Sequence, residues 1–283
     1  METASTSNDR RASHSAIVGG LFAVGLTLVT SLPGNAAAQP TITGLTSAGK
    51  ITFCSALTQP PFESLTADGT AEGIDVDLGT DLSKRLGLGV AWNNIPFSGL
   101  IPALQAGQCD AILSDLFVKE ERMQVLDFVP YMYSQEVLMV KAGTPGIETL
   151  ADLSTKKAAT VTGTTATQLL EAASTTLTAA GKPAINIVMF PENTQALQQL
   201  QFGQVDAFGV AYEIAEYYMA RTPGTFKLGG PTYFKILTGI GFRKDSAKLR
   251  DAMQQAFDAT RSDGSYDKLI AKYHLESDAL TTK

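Results

Sequence analysis

The chain has 283 residues, 44% of them hydrophobic, which is enough apolar material for one or two packed lobes. Acidic residues outnumber basic ones, 28 to 22, and no basic run occurs, so neither a nucleic-acid surface nor a polybasic membrane patch is expected. Two cysteines and two histidines leave little from which to build a metal or thiol centre.

The first forty residues stand apart from the rest. Arg10 and Arg11 precede an apolar run over 16–32, closed by Pro33, Gly34 and the string Ala36-Ala37-Ala38. This is the layout of a signal peptide over 1–38, cleaved near Ala38. An uncleaved anchor is the alternative, weakened by three glycines and two threonines in the run. The arginine pair raises twin-arginine export, but Ala12-Ser13-His14 adds no apolar residue to it, so it reads as the positive n-region. Residues 39–49 form an N-terminal extension.

From there, strands and helices alternate. A strand over 51–56 is followed by a helix over 75–86, whose Leu78, Leu82 and Leu86 recur every fourth residue while Asp75 and Asp77 suit its positive N-terminal end. A strand over 90–92, a helix over 98–106 and a strand over 110–114 come next. Cys54 and Cys109 fall in or beside the first and last of these strands. With parallel strands ending level, one cysteine lies past the middle and the other at the start, so two free buried thiols are expected rather than a bridge.

A second block follows Gly143-Thr144-Pro145-Gly146. It comprises strands over 157–161, 185–190 and 205–210, and helices over 165–180, 193–202 and 213–220, with Leu169, Leu170, Ala173 and Leu177 on one apolar stripe. An extended run over 233–242 leads to two helical stretches, one carrying Leu249, Met253 and Phe257, the other Tyr266, Leu269 and Tyr273. The fold class is α/β, in two units joined near 139–141 and 235–242.

Catalytic signatures are missing. His274 is the one histidine beyond the export segment, and HExxH, CxxC, GxSxG and P-loop patterns are absent, so no metal and no cofactor is expected. Carboxylate-pair chemistry is not excluded, but nothing nominates a pair.

Arg122 lies in a polar segment after the strand that ends at Ser114. Ligands bind beyond the carboxyl ends of strands in open α/β sheets, and a guanidinium fits a carboxylate through two parallel hydrogen bonds. A surface ion pair with Glu120 or Glu121 is the competing reading.

Seven segments occur in order along the chain: PPFES at 60–64, EGIDVDL at 72–78, GLIPALQAGQCDAILS at 99–114, EERMQVLDFVPY at 120–131, GTT at 163–165, GQVDA at 203–207 and DGSYDKLIAKY at 263–273. In this order they resemble the family 3 extracellular solute-binding proteins, the periplasmic receptors of polar amino-acid ABC importers. The resemblance implies a type II periplasmic-binding-protein fold, with lobe 1 at 50–139 plus 237–283 and lobe 2 at 140–236, joined by two crossing strands and closing on ligand. It implies a monomer that hands a small solute to a membrane permease, with no nucleic-acid partner. Arg122 would grip the ligand carboxylate, with Ser114, Thr164 and Thr165 assisting at a helix start. Phe97 and Val161 match apolar wall positions, with core packing as the other reading for both, and Phe117 and Gln59 complete the expected contact set.

The chain departs from that pattern where amines are held. Ala211 stands where an aspartate usually receives the ammonium, and Gln59 and Ala56 replace an aromatic and an acid of the first loop. A simple lysine, arginine or histidine receptor is therefore disfavoured. Asp115 is a candidate for the displaced charge; pairing with Lys119 or capping the next turn is its alternative. A soluble binding component for a carboxylate-bearing polar solute, an amino acid or derivative, is the leading expectation. A dehydratase-like enzyme on this fold and a sensor adaptor are its rivals.

Overall fold

A computed structural model describes residues 42–280. The expected signal peptide lies outside the described residues; among those described, no helix is long and apolar enough to cross a membrane. The strands are β1 (Lys50–Ser55), β2 (Thr58–Gln59), β3 (Glu63–Leu65), β4 (Ala71–Glu72), β5 (Gly89–Asn94), β6 (Ala111–Ile112), β7 (Leu126–Lys141), β8 (Lys157–Val161), β9 (Asn186–Phe190), β10 (Ala207–Ala211), β11 (Phe226–Leu228) and β12 (Tyr233–Arg243). The α-helices are α1 (Ile74–Arg85), α2 (Leu100–Gln105), α3 (Glu120–Met123), α4 (Thr165–Ala179), α5 (Asn193–Gln201), α6 (Tyr212–Arg221), α7 (Ala247–Ser262) and α8 (Ser265–Lys272).

One continuous sheet runs in the order β5-β1-β6-β12-β7-β10-β8-β9, with β11 added against β7. Its two ends are parallel, β5-β1-β6 and β10-β8-β9, and belong to the two lobes of the α/β fold. The middle is antiparallel: β7 pairs with β12 from Leu126 to Glu136, and with β10 from Glu136 to Met139. β7 and β12 are thus the two crossing strands. Strands β2, β3 and β4 form a small separate sheet.

Parallel strands covered on both faces read as unbroken apolar runs. β1 follows this pattern, with every residue after Lys50 buried. Helix α1 docks through Leu78 and Leu82, each almost fully buried, and each such side chain contributes about 1.5–3 kcal/mol. Helix α4 buries Leu169, Leu170 and Leu177, the stripe read from the sequence, while α7 buries Leu249, Met253 and Phe257. The extension is tied down by Asp110, whose Oδ1 accepts from the Thr46 amide at 2.7 Å and hydroxyl at 2.9 Å, while its Oδ2 accepts from the Thr52 amide at 2.7 Å.

The cysteines overturn the expectation of free thiols. Cys54 and Cys109 form a disulfide, with Cα atoms 5.6 Å apart. The expected separation presumed a regular strand from residue 110, but β6 is two residues long. Thr52 O accepts from Asp110 N–H and Cys54 O from Leu113 N–H, so a step of two residues on β1 faces a step of three on its neighbour. The chain entering β6 is therefore irregular, and Cys109 reaches Cys54.

The bridge closes a sequence separation of 55, for which loop-closure entropy gives about 4 kcal/mol of stabilisation. Reduction should lower the urea midpoint of the purified protein correspondingly. An unchanged midpoint after verified reduction would refute that contribution.

Candidate functional site

The ends of β1, β6, β8 and β10 converge on one cavity between the lobes. Gln59, Phe97, Asp115, Phe117 and Arg122 line it on one side, Val161, Thr164, Thr165 and Ala211 on the other, and Glu136 comes from the crossing strand β7. This is the carboxyl-end crevice at which α/β sheets take ligands.

Arg122 rides on the short helix α3 and is buried, 7% exposed. Its Nη1 donates to Phe117 O at 3.0 Å, and its Nη2 reaches across the cleft to Gly163 O at 3.3 Å. The guanidinium carbon lies 5.6 Å from the centroid of the Phe97 ring. Gly163 has φ of +84°, and a Cβ there would stand 3.3 Å from Ser98 Cα, so this close approach of the lobes needs glycine. No carboxylate lies within ion-pairing distance of Arg122 among the described residues, which removes the surface-pair reading. Glu121 instead pairs with Lys119 at 2.8 Å, and both touch Gln168 of α4 at the rim. Burial lowers the guanidinium pKa, opposed by the charges of Glu121, Asp115 and Glu136. An arginine remains charged all the same, with N–H groups to spare for an incoming anion.

Thr164 is the N-cap of α4, accepting from Thr167 N–H at 3.3 Å, and Thr165 opens the helix. The positive dipole end of the helix suits an anion there. Phe97 and Val161 belong to the cavity wall and to a core cluster at once, so the two readings of these residues coexist.

Ser114 sits one layer behind the wall. Its hydroxyl donates to Glu63 Oε1 at 2.6 Å and accepts from the Ala56 amide at 3.0 Å and Gln59 Nε2 at 3.3 Å. It is fully buried and organises Gln59 and Glu63 rather than lining the cavity.

Asp115 does line it. The residue adopts φ of 42°, which aspartate tolerates better than most side chains, and neither pairs with Lys119 nor caps α3. Its amide donates to Asp75 Oδ2 at 2.9 Å, and its Oδ1 accepts from Thr238 Oγ1 at 3.1 Å. Asp75, expected merely to face a helix dipole, also accepts from Tyr131 OH at 2.6 Å and is wholly buried.

Sequence reasoning missed how many acids are buried around the cavity: Glu63, Asp75, Asp115, Glu136 and Glu213 are each no more than 5% exposed. Burial pushes the Asp75 carboxyl up to about 6 and those of Glu136 and Glu213 up to about 8. It raises Glu63 and Asp115 well above the usual carboxylate range, with neighbouring acids adding to the effect. One signal was available, since Glu136 directly precedes the apolar stretch VLMV at 137–140, where an unpaired acid is costly.

A raised folded-state pKa stabilises at low pH and loses that contribution as pH rises toward it. For Glu136 and Glu213 the loss runs from the ordinary value of 4.5 to about 8. Each group then costs up to about 1.4 kcal/mol per pH unit within that window. The ligand-free protein should therefore melt at progressively lower temperature between pH 5 and 8; a flat or rising profile would contradict the burial of ionisable acids.

The family model for bacterial extracellular solute-binding proteins, family 3, matches residues 51–276. The histidine-binding periplasmic protein of Salmonella typhimurium is 33% identical over 224 residues, covering 76% of this chain and 84% of its own. The L-arginine-binding protein of Pseudomonas aeruginosa is 32% identical over 253 residues, covering 87% and 92%. Among solved structures, an ancestral arginine-binding protein bound to glutamine superposes with a TM-score of 0.75 at 31% identity, covering 81% of this chain and 100% of its own. An ancestral amino acid-binding protein, a precursor of cyclohexadienyl dehydratase, gives 0.72 at 28% identity, covering 80% and 95%.

Proposed function

The chain belongs to the bacterial extracellular solute-binding proteins of family 3, and from that premise we propose that it is the periplasmic binding component of an ABC importer for an amino acid or close derivative. The observation that carries this is Arg122: a buried guanidinium in an interlobe cavity, without a carboxylate partner and beside the N-terminus of α4. The solute carboxylate completes that pair through two parallel hydrogen bonds. Thr164 and Thr165 add donors from the opposite lobe, so the same anion favours the closed arrangement. Asp115, oriented by Thr238, receives an amine.

Named relatives bind histidine or arginine, and another is a lysine/arginine/ornithine-binding protein. Cationic amino acids, which Ala56 and Ala211 argued against, re-enter the class on that ground. We place the protein with these binding proteins rather than with enzymes; the similar dehydratase precursor is itself an ancestral amino acid-binding protein. Export to the periplasm with cleavage near Ala38, action as a monomer and delivery to a membrane permease belong to the same reading. The strand pairing supports drawing the lobe boundary at the switch of β7 from β12 to β10, at Glu136, a few residues before the sequence-based limit of 139.

A thermal-shift screen of the mature protein against amino acids should find a ligand, because a ligand specific to the folded state raises stability with the logarithm of its excess over Kd. Arg122→Ala should weaken that ligand about 100-fold or more, the scale for losing one partner of a buried charged pair. Retained affinity sinks the carboxylate assignment. Calorimetry on Asp115→Asn should show weakened binding of the amine-bearing ligand and little change for its des-amino analogue; equal losses for both would remove the amine contact.

A further inference from the structure

The cavity holds a second acid with no part in the scheme above. Glu136 is 3% exposed and lies on β7, where the strand passes from β12 to β10: its register partners are Tyr233 on one side and Ala211 on the other. Directly paired residues project from the same face of a sheet. On the β10 side, therefore, the residue paired with Glu136 offers a methyl group in place of a charge. Glu136 Oε2 is buried and has no hydrogen-bond partner. Burial raises the pKa of this carboxyl, opposed by the charges of Arg122 and Lys119 and by the Ala166 amide at the start of α4. Lys119 is itself engaged by Glu121 at 2.8 Å, and Arg122 makes no direct ion pair with Glu136. Glu213, the other buried acid of this region, accepts from Ser134 at 2.7 Å and is not part of the cavity lining.

A buried carboxylate oxygen facing a cavity without a donor is costly until a cation or a proton reaches it. Asp115 is the other acid in the lining, so the cavity offers two acids and one guanidinium. We propose that Glu136 is a second cation-receiving residue, taking one positive group of the solute while Asp115 takes another, so that the solute carries one carboxylate and two cationic groups. The charges then balance, one positive and two negative on the protein against one negative and two positive on the solute. A solute with a single amine leaves one acid without a counter-charge, and that acid keeps its proton. The class is thus an amino acid bearing an amine or guanidine on its side chain, and the inference rests on the carboxylate reading of Arg122.

Calorimetry near neutral pH with L-arginine and L-lysine, and with the uncharged counterparts L-citrulline and L-norleucine, tests this on the wild type and on Glu136→Gln. The wild type should bind the charged members at least about tenfold more tightly, a conservative figure for a desolvated charge pair. Glu136→Gln keeps the shape and removes the charge, and should bring the ratio close to one while changing affinity for the uncharged members by less than about threefold. An undiminished ratio in the variant assigns the second cation elsewhere and overturns the proposal. A wild-type ratio near one also overturns it, with the carboxylate reading intact, and this arm decides the matter even if the variant does not fold. Failure of all four compounds to bind the wild type overturns the proposal, and the thermal-shift screen against amino acids then decides the wider reading.

Discussion

Ionisable groups taken out of water are the constraint on which this cleft depends. Five carboxyl groups and one guanidinium are buried around it, and each needs hydrogen bonds, a counter-charge or a proton. The structure provides the bonds by linking elements that are distant in sequence. Asp75, in the first turn of α1, joins Tyr131 on β7 to the Asp115 amide after β6. Glu63 on β3 gathers Ser114 and Gln59. Thr238 on β12 holds Asp115. The polar floor of the cavity is therefore also a set of ties among α1, β3, β6, β7 and β12.

This explains why Ser114 serves the cavity from behind. A hydroxyl with one hydrogen to give satisfies Glu63 first, because that acid is fully buried and the bond is short. Gln59, held by the same pair, presents the surface instead. A family pattern carries the residue type faithfully but leaves open which of two layers the side chain occupies.

Elements with a strong local period were legible in the sequence. The strand at Lys157–Val161 and the helices at Thr165–Ala179 and Asn193–Gln201 have their expected limits to within a residue, because apolar spacing and turn residues agree there. Strand β7 was not legible as one element: its sixteen residues change partners midway, and no single alternation describes both halves. The disulfide was hidden by an irregular entry into β6 that only pairing reveals. Arg122 was a candidate from position and chemistry that the family resemblance decided, and Asp115 stood out as a departure from the family pattern. Glu136 carried only the weak signal of an acid beside an apolar stretch, and its place opposite Ala211, far along the chain, appears only in the strand pairing.

The change of partners along β7 has a mechanical side. A residue at the point where two rigid halves share a strand sits near the pivot of their relative motion, and a pivot sweeps the shortest arc. Arg122 and the start of α4 lie on opposite jaws, so their separation is what a swing changes. Glu136 stands at that shared point, where β7 leaves β12 for β10. Contacts at the pivot can hold a visitor without favouring either posture, whereas contacts at the jaws supply the bias toward closure. If Glu136 and Arg122 hold the solute as proposed, tightness of grip and propensity to shut rest on different residues of one small chamber.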